Sequence, residues 1–394
     1  MECFNESRLR ELAAHREPPS VSLYMPTISQ RNPQAADEDS NRFNRLVATA
    51  ERLLLHRGVG TIAAREMTES LRAEFGSMAR WRRFEGGLAA FIGPYDCRVF
   101  SLPEPAPEKV VVAERFLLKP LLAYLGRRGR FYVLAICENF VKLFAGDRYQ
   151  LVSVDVPGLP EDLADSLHQE MTREAASSTS ASTLVGKKST IFNRRGAGTR
   201  PKNNLDTYCG AVEHAIGEAL VGQNVPLLFA GPRSLFPQYR SLNRYPYLLG
   251  ECIEGDADVY SHEELRKRAC ALVEPFYARS QAMAAAQFVK LCGTERSSND
   301  TRELVFAAQA GLIDSLFVAE DLEQWALVDW QRRTVKPMNV QQSHSEELLD
   351  YIAVQTFLNQ GMVYVVDRRQ VPGGGPVAAT YRIPLVQPLL SRWS

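Results

Sequence analysis

The last third of the chain carries one pattern twice, and this pattern limits the fold more than any other feature. A helix-forming segment, a glycine and a short apolar segment follow one another in SSNDTRELVFAAQAGLIDSLFVAED and again in SEELLDYIAVQTFLNQGMVYVVD. In the first copy Asn299 or Asp300 can cap the helix and Gly311 can end it, and in the second copy Gly361 stands after the helix. Helices that alternate with buried strands pack in layers, so a small layered α/β domain is predicted here.

The chain is longer than one such domain needs. Its 394 residues exceed what a single hydrophobic core usually supports, so two or three domains are expected. The order of predicted helices and strands divides the chain into three blocks, 1–128, 129–284 and 285–394. The first mixes strand patterns with the amphipathic helix NRFNRLVATAERLLLHRG, and the second opens with a predicted three-strand meander that alternating helix and strand patterns follow. The predicted fold class is α/β, in three domains.

Charge and composition are those of an ordinary globular protein. The 46 basic and 46 acidic residues balance, so any attraction to nucleic acid must be local. Neither the N-terminal segment MECFNESRLRELAAHREPPS nor a later stretch has the apolar length of a signal peptide or a membrane helix, so a cytoplasmic protein without a membrane partner is expected. The seven cysteines are scattered and never form C-x-x-C, which argues against a disulfide framework and a zinc ribbon. No cofactor and no metal site is predicted.

A basic, glycine-containing segment in the second block, KKSTIFNRRGAGTRPKNNLD at 187–206, supplies a local charge. Between Glu174 and Asp206 the chain has no acidic residue, and its basic residues there are Lys187, Lys188, Arg194, Arg195, Arg200 and Lys202. A flexible linker in a neutral protein is expected to mix both signs, so this asymmetry favours contact with phosphate groups over a solvated connection. Asn203 can add a hydrogen bond to such a contact. The loop 187–205 is therefore a candidate RNA-binding element.

Three groups of stretches, taken in chain order, resemble one known family. The first is VSLYMP with the Asn-Arg helix behind it, the second is FYVLAICENFVKLFAGDR with the basic loop and LLFAGPRSLF, and the third is TRELVFAAQAGLIDSLFVAED with VPGGGPVAATYRI. They are similar to the archaeal and eukaryotic class-one peptide-chain release factors and their paralogue pelota, in the divergent form found in bacteria. The resemblance implies a release-factor-like N-terminal domain, an RNase-H-like middle domain and a C-terminal domain with the fold of kink-turn-binding ribosomal proteins.

The resemblance also implies a role for the basic loop. In these factors the equivalent loop carries Gly-Gly-Gln, enters the peptidyl-transferase centre and promotes attack of water on the peptidyl-tRNA ester. Here Gly196, Ala197 and Gly198 stand at the matching positions, or Ala197, Gly198 and Thr199 one residue on, and neither register supplies a glutamine. The candidate catalytic residues are Gly196 and Gly198, which let the main chain approach the ester, and Thr199, which could orient water.

The predicted function is that of a translation-associated factor that binds the ribosome and tRNA and acts in rescue of stalled ribosomes. If the loop is catalytic, the predicted activity is hydrolysis of the peptidyl-tRNA ester on the ribosome. A translational GTPase is the partner that the third domain has in the family. Reading of stop codons is not implied, because DEDSNRFNR is acidic where a positive residue would meet mRNA phosphates.

Two alternative functions stay open. One is a non-catalytic ribosome- or RNA-binding protein that kept the fold and lost the hydrolytic loop. The other is an RNase-H-like nuclease that uses Asp147, Asp155 and Glu213 with a metal ion. A further segment, RSLNRYPYLLGECIEG, mixes arginines with tyrosines that could hold phosphates and stack on bases, and core packing with a turn explains the same residues equally well.

Overall fold

The protein is a mixed α/β molecule that forms two compact units. The computed structural model describes residues 4–28, 33–75, 81, 84, 86–136, 140–160, 200–255, 260–342 and 344–385, with the main chain alone at 33–35, 74 and 200–204. Unit 1 combines Met1–Arg127 with Ser280–Ser394, and unit 2 is Arg128–Arg279. The predicted α/β class is confirmed, and the division into three domains stays a prediction. Within the described ranges no helix is long and apolar enough to cross a membrane.

The N-terminal part of unit 1 is an antiparallel sheet with helices packed on it. Its helices are α1 Glu6–Ala13, α2 Pro33–His56, α3 Thr61–Phe75 and α4 Lys119–Arg127, and its strands are β1 Ser20–Thr27, β2 Gly86–Ile92, β3 Cys97–Leu102 and β4 Lys109–Ala113. The strand order is β3-β2-β1-β4, and every neighbouring pair is antiparallel. Phe43, Val47 and Leu54 share one face of α2 because of their spacing, and this face is buried in the core.

Unit 2 is a five-stranded mixed sheet with a core on each face. Its elements in chain order are β5 Phe131–Ile136, β6 Val141–Gly146, β7 Leu151–Val154, α5 Arg200–Ala219, β8 Leu227–Gly231, α6 Phe236–Leu242, β9 Leu248–Glu254 and the first part of α7 His262–Leu291. The strand order is β7-β6-β5-β8-β9. The predicted meander is confirmed, since β5, β6 and β7 pair antiparallel in turn. The continuous apolar strand β8 pairs parallel with β5 and β9 and is buried throughout, as its sequence predicts.

One edge of this sheet, the carboxyl edge, receives the ends of its parallel strands. β5, β8 and β9 run in one direction and end there, and β7 runs with them because it is antiparallel to β6. α5 leads into β8 from the opposite direction and therefore begins at the carboxyl edge. A hydrogen bond of 2.8 Å from Gln238 Nε2, in the helix after β8, to Asp206 Oδ1 holds the first half of α5 there. The strand before the basic loop and the helix after it thus meet this same edge.

The C-terminal part of unit 1 contains the two helix-glycine-strand repeats that the sequence predicts. Its elements after α7 are β10 Ser297–Ser298, α8 Thr301–Gln309, β11 Ile313–Ala319, β12 Trp325–Asp329, β13 Thr334–Met338, β14 Glu346–Glu347, α9 Leu348–Leu358, β15 Met362–Val366, a short 3-10 helix Arg368–Gln370 and β16 Val377–Tyr381. Asp300 caps α8 by accepting a hydrogen bond of 2.9 Å from the N–H of Arg302, and Gly311 follows the helix with a φ of 71°. β11 and β15, the strands of the two repeats, pair parallel in the sheet β10-β16-β11-β15.

Candidate nucleic-acid interface

Most of the predicted loop lies outside the described residues. The positions concerned are Lys187, Lys188, Arg194, Arg195, Gly196, Gly198 and Thr199. Arg200, Lys202 and Asn203 lie in the first turn of α5, where the main chain alone is described. The catalytic and RNA-binding roles of all ten residues stay predictions.

The start of α5 suits the binding of an anion. A helix begins with main-chain N–H groups that have no partner inside the helix, and its dipole is positive at that end. The first turn of α5 contains no acidic residue. This turn contains Arg200 and Lys202. The charge of its sequence and the positive end of the helix dipole therefore both favour a negatively charged ligand.

α5 is held firmly in unit 2 by buried side chains on one face. Tyr208, Cys209 and Val212 are almost completely buried in the core between α5, α6 and the sheet. Burial, with the Asp206 carboxylate nearby, raises the pKa of Cys209 to about 11, so its thiol stays protonated and unreactive. Glu213 Oε1 accepts a hydrogen bond of 3.1 Å from the main-chain N–H of Arg244 and ties α5 to the segment after α6. The helix that continues the loop is therefore a fixed base for it.

The segment RSLNRYPYLLG separates into buried tyrosines and exposed arginines. Tyr245 and Tyr239, which directly precedes the segment, belong to the core, and the hydroxyl of Tyr245 donates to the carbonyl oxygen of Val225 at 2.6 Å. Burial raises the pKa of both phenols. Packing thus accounts for these two tyrosines. The side chains of Arg240 and Arg244 are exposed and form no ion pair with any described residue, so their charges remain available to phosphates next to α5.

The three carboxylates of the nuclease alternative do not come together. Asp147 is buried in the turn before β7, where Oδ1 accepts the N–H of Tyr149 at 2.7 Å and Oδ2 accepts Nε of Arg128 at 2.8 Å. Asp155 follows the other end of β7 and is exposed, and Glu213 is bonded on α5 as described above. In the part of the chain that the structure describes, no group of three or more His, Cys, Asp or Glu side chains is placed to hold a metal ion. Asp147 serves its turn and not a metal site.

One family model matches the part of the chain that carries the loop. Residues 131–275 match the model of Bacterial archaeo-eukaryotic release factor family 7. The match begins at the first residue of β5 and ends inside α7, so it spans the sheet of unit 2, the loop and α5. It confirms the predicted resemblance to the bacterial branch of the release factors. No curated protein matches the chain significantly.

Solved structures of archaeal and yeast proteins are distantly similar to the chain. The archaeal translation termination factor aRF1 is 15% identical, covers 97% of this chain and 99% of its own, and has a TM-score of 0.23. Archaeal Pelota, from a model of its ribosome-bound form with ABCE1, is 12% identical over 98% of this chain and 96% of its own, with a TM-score of 0.42. Dom34 of S. cerevisiae, a translation termination-like factor that interacts with Hbs1, is 9% identical over 78% of this chain and 82% of its own, with a TM-score of 0.37.

Proposed function

We propose that this chain, which is release-factor-like by its match over residues 131–275, is a cytoplasmic translation factor that binds the ribosome and tRNA. In this proposal the loop 187–205 reaches the acceptor end of the tRNA, and the protein acts in rescue of stalled ribosomes. The observation that carries the proposal is the family match itself, because it covers the loop together with the strands and the helix that hold it.

Local charge supports the contact with RNA. The chain is neutral overall, yet the loop concentrates basic residues without a carboxylate, and it leads into a helix whose first turn is also free of acidic residues. Exposed Arg240 and Arg244 add positive charge farther along α5, on the segment that the Glu213 hydrogen bond ties to it. Phosphates bind such a surface by releasing counterions, and the affinity then falls steeply with salt.

The proposed architecture has three domains. The mixed sheet of unit 2, an antiparallel meander continued by two parallel strands, supports an RNase-H-like middle domain. The layered repeats of α8, β11, α9 and β15 support a C-terminal domain like the kink-turn-binding ribosomal proteins. A translational GTPase is the partner proposed for this third domain. The nuclease function is not part of the proposal, since Asp147 and Glu213 are engaged in structural hydrogen bonds.

Binding is tested by removing the loop charge. Replacement of Arg194, Arg195, Arg200 and Lys202 by Gln should weaken co-sedimentation with ribosomes and reduce the slope of log affinity against log salt, by about 0.7 for each phosphate that is no longer bound. The matched control replaces Lys267, Arg268, Arg302 and Arg332, which carry the same total charge but are each paired with a carboxylate. We expect the control to bind as the wild type does. An unchanged slope in the loop variant would leave the loop as a linker.

Catalysis is tested separately from binding. We expect the wild type to release peptide from ribosome-bound peptidyl-tRNA weakly or not at all, because neither register of the loop has a glutamine. That absence favours the second candidate function, a ribosome-binding protein without hydrolytic activity. If release is measurable, Gly198→Trp should lower its rate about a hundredfold or more and leave sedimentation unchanged, since a side chain there blocks the approach of the main chain to the ester. Rapid release by the wild type would contradict the non-catalytic alternative.

A further inference from the structure

Four arginines from three separate segments converge at the edge of the unit 2 sheet opposite the carboxyl edge. We call them the turn cluster: Arg128, Arg130, Arg148 and Arg266. The main-chain N–H of Arg148 donates to the carbonyl oxygen of Arg128 at 3.0 Å, and Nη1 of Arg266 donates to the carbonyl oxygen of Arg148. The hydroxyl of Tyr277 donates to the carbonyl oxygen of Arg130 at 2.7 Å and fixes that segment against α7. The four positions are thus held together by hydrogen bonds and not by chance proximity of long side chains.

The nearby carboxylates are already occupied by other cations. Asp147, which is buried, forms its ion pair with Arg128. Glu263 lies near Arg266 on α7, but it pairs with Lys267 at 2.7 Å. Neither Arg148 nor Arg266 forms an ion pair with a carboxylate among the described residues, and Arg148 is exposed. Two guanidinium groups therefore have no ion-paired carboxylate among those residues, on a chain whose net charge is zero.

Both of these arginines lie at the turn between β6 and β7, where the Arg266 guanidinium bonds the main chain of Arg148. The Cys270 thiol lies 3.7 Å from the carbonyl oxygen of Asp147, in the turn that carries Arg148. Burial raises the pKa of Cys270, the charges of Arg266 and Arg148 oppose that rise and the Asp147 carboxylate adds to it, which agrees with the hydrogen bond that places Arg266 at this turn. Tyr149, beside Arg148, is partly exposed at the same turn.

We propose that the turn cluster is a second RNA-binding surface of this protein, at which Arg148 and Arg266 contact backbone phosphates. A guanidinium group matches a phosphate with two parallel N–H donors, and two converging groups match adjacent phosphates of one strand. The proposal rests on the proposed function for the identity of the RNA, which is ribosomal RNA or tRNA.

The position of the cluster defines the kind of RNA that can use it together with the loop. Arg130 precedes the first residue of β5, whereas the loop flanks meet the far end of the same strand. A strand of this length spans about 20 Å, so the two surfaces cannot share a single phosphate group. A mononucleotide or a free phosphate ion would contact one surface only. A folded RNA with an extended backbone contacts both, which favours structured RNA as the ligand.

The test compares two pairs of variants in binding to tRNA and to ribosomes as the salt concentration is raised. Arg148→Gln with Arg266→Gln should lower the salt slope for tRNA by about 1.4, because two phosphates are no longer bound. Arg148→Lys with Arg266→Lys keeps the charges and should keep the slope, with weaker affinity because the two-donor geometry is absent. Arg302→Gln with Arg332→Gln is the matched control, because both residues are paired with carboxylates and neither belongs to the turn cluster, and it should leave slope and affinity unchanged.

The outcomes separate this proposal from the function on which it rests. If the Gln pair leaves the slope unchanged while the loop variant lowers it, the turn cluster does not bind RNA and the proposed function stands. If the wild type binds neither tRNA nor ribosomes, both proposals fail. If the Gln pair keeps its tRNA affinity and slope but binds ribosomes and protein-free ribosomal RNA more weakly, the cluster contacts ribosomal RNA. If it keeps its affinity for tRNA and for protein-free ribosomal RNA and loses only ribosome binding, the cluster contacts an acidic protein surface and the RNA proposal is wrong. A reduced slope in the Lys pair as well would mean a folding defect and would also overturn it.

Discussion

Asp350 shows how a single buried carboxyl group joins the two parts of unit 1. Its Oδ1 accepts hydrogen bonds from the N–H groups of Leu118, at 2.6 Å, and of Lys119, at the start of α4. The Lys119 ammonium group in turn donates to the carbonyl oxygen of Ala319, at 3.0 Å, and to that of Leu322. Burial, followed by the neighbouring Glu347 carboxylate, raises the pKa of Asp350 from 3.8 to about 7, although the two N–H bonds oppose the rise.

This pKa makes the stability of unit 1 depend on pH, with a definite sign. The folded protein binds a proton at Asp350 more tightly than the unfolded chain does, so the free energy of unfolding falls as pH rises from about 4 to about 7. Asp350→Asn keeps an oxygen for both N–H groups and removes the titration. We expect the variant to gain stability relative to the wild type across this window, by up to about 1.4 kcal/mol per pH unit.

Urea unfolding at several pH values measures this difference. Other carboxyl groups with raised pKa values, such as Asp39 and Glu346, contribute equally to both proteins and cancel in the comparison. Asp321→Asn, at an exposed position of the same unit, is the matched control for the removal of one carboxylate charge. A difference for Asp350→Asn that does not change with pH would mean that its carboxyl group is not protonated in the folded protein.

The sequence predicts local partners of single residues but not distant ones. The sequence predicts Asp300 as the N-cap of α8 and Gly311 as its end, because both roles depend on main-chain groups within a few residues. Asp350 looks like an ordinary polar position of a helix in SEELLDYIAV, and its partner Lys119 is 231 positions away. The turn cluster is invisible in the sequence for the same reason. GRRGR hints at local charge, but the approach of Arg148 and Arg266 depends on the folded sheet.

At the scale of elements, two glycines of unit 2 illustrate opposite constraints. Gly231 ends β8, where an added Cβ would collide with the carbonyl oxygen of Ile136 in the paired strand β5. Gly210 lies inside α5, where an added Cβ would meet no atom within 4 Å other than the main chain of its own helix and its chain neighbours. The first glycine is required by the close pairing of two strands, whereas the second only lowers the helix propensity of α5.

Alanine substitution should therefore have opposite effects at these two positions. We expect Gly231→Ala to lower the free energy of unfolding of unit 2 by about 1–3 kcal/mol, because the main chain of β5 or β8 must shift. Gly210→Ala should raise it by up to about 1 kcal/mol, because alanine is the better helix former and has room. Denaturant unfolding of both variants checks this. Equal stability of Gly231→Ala and the wild type would show that the strands separate easily at the carboxyl edge.

The elements themselves follow from short-range patterns, and their partners do not. The helices α8 and α9, the strands β11 and β15 and the meander β5, β6 and β7 are each predictable from spacing, caps and glycines. The strand orders β3-β2-β1-β4 and β10-β16-β11-β15 bring together segments that are far apart in the sequence, which no local pattern encodes. The family match over unit 2 confirms a resemblance that the order of the stretches suggests.

For the whole molecule, a balanced total charge conceals how the charge is distributed. The 46 basic and 46 acidic residues of the sequence indicate no nucleic-acid partner. The structure shows how unevenly the charges are paired: Asp147 pairs with Arg128 and Glu263 with Lys267, whereas Arg148 and Arg266 near them form no ion pair among the described residues. The sequence could locate the basic loop because its charges lie close together along the chain. It could not locate a surface whose charges come from three segments.

The grouping of the chain into units leads to a prediction about its fragments. Unit 2 is continuous in sequence, and its sheet has a core on each face made from its own residues, so residues 128–279 should fold alone and unfold cooperatively.

Unit 1 is discontinuous, and the hydrogen bonds of Asp350 and Lys119 connect its two parts. We expect residues 280–394 alone to be less stable than in the full chain. The Asp350 carboxyl group would lose its main-chain donors, and two carbonyl oxygens would lose the Lys119 ammonium group. Addition of the fragment 1–127 should restore them. Amide NMR spectra of each fragment, recorded singly and mixed, measure this directly. An undispersed spectrum of 128–279 would contradict the independence of unit 2, and fragments of unit 1 whose spectra do not change on mixing would show that its two parts fold without each other.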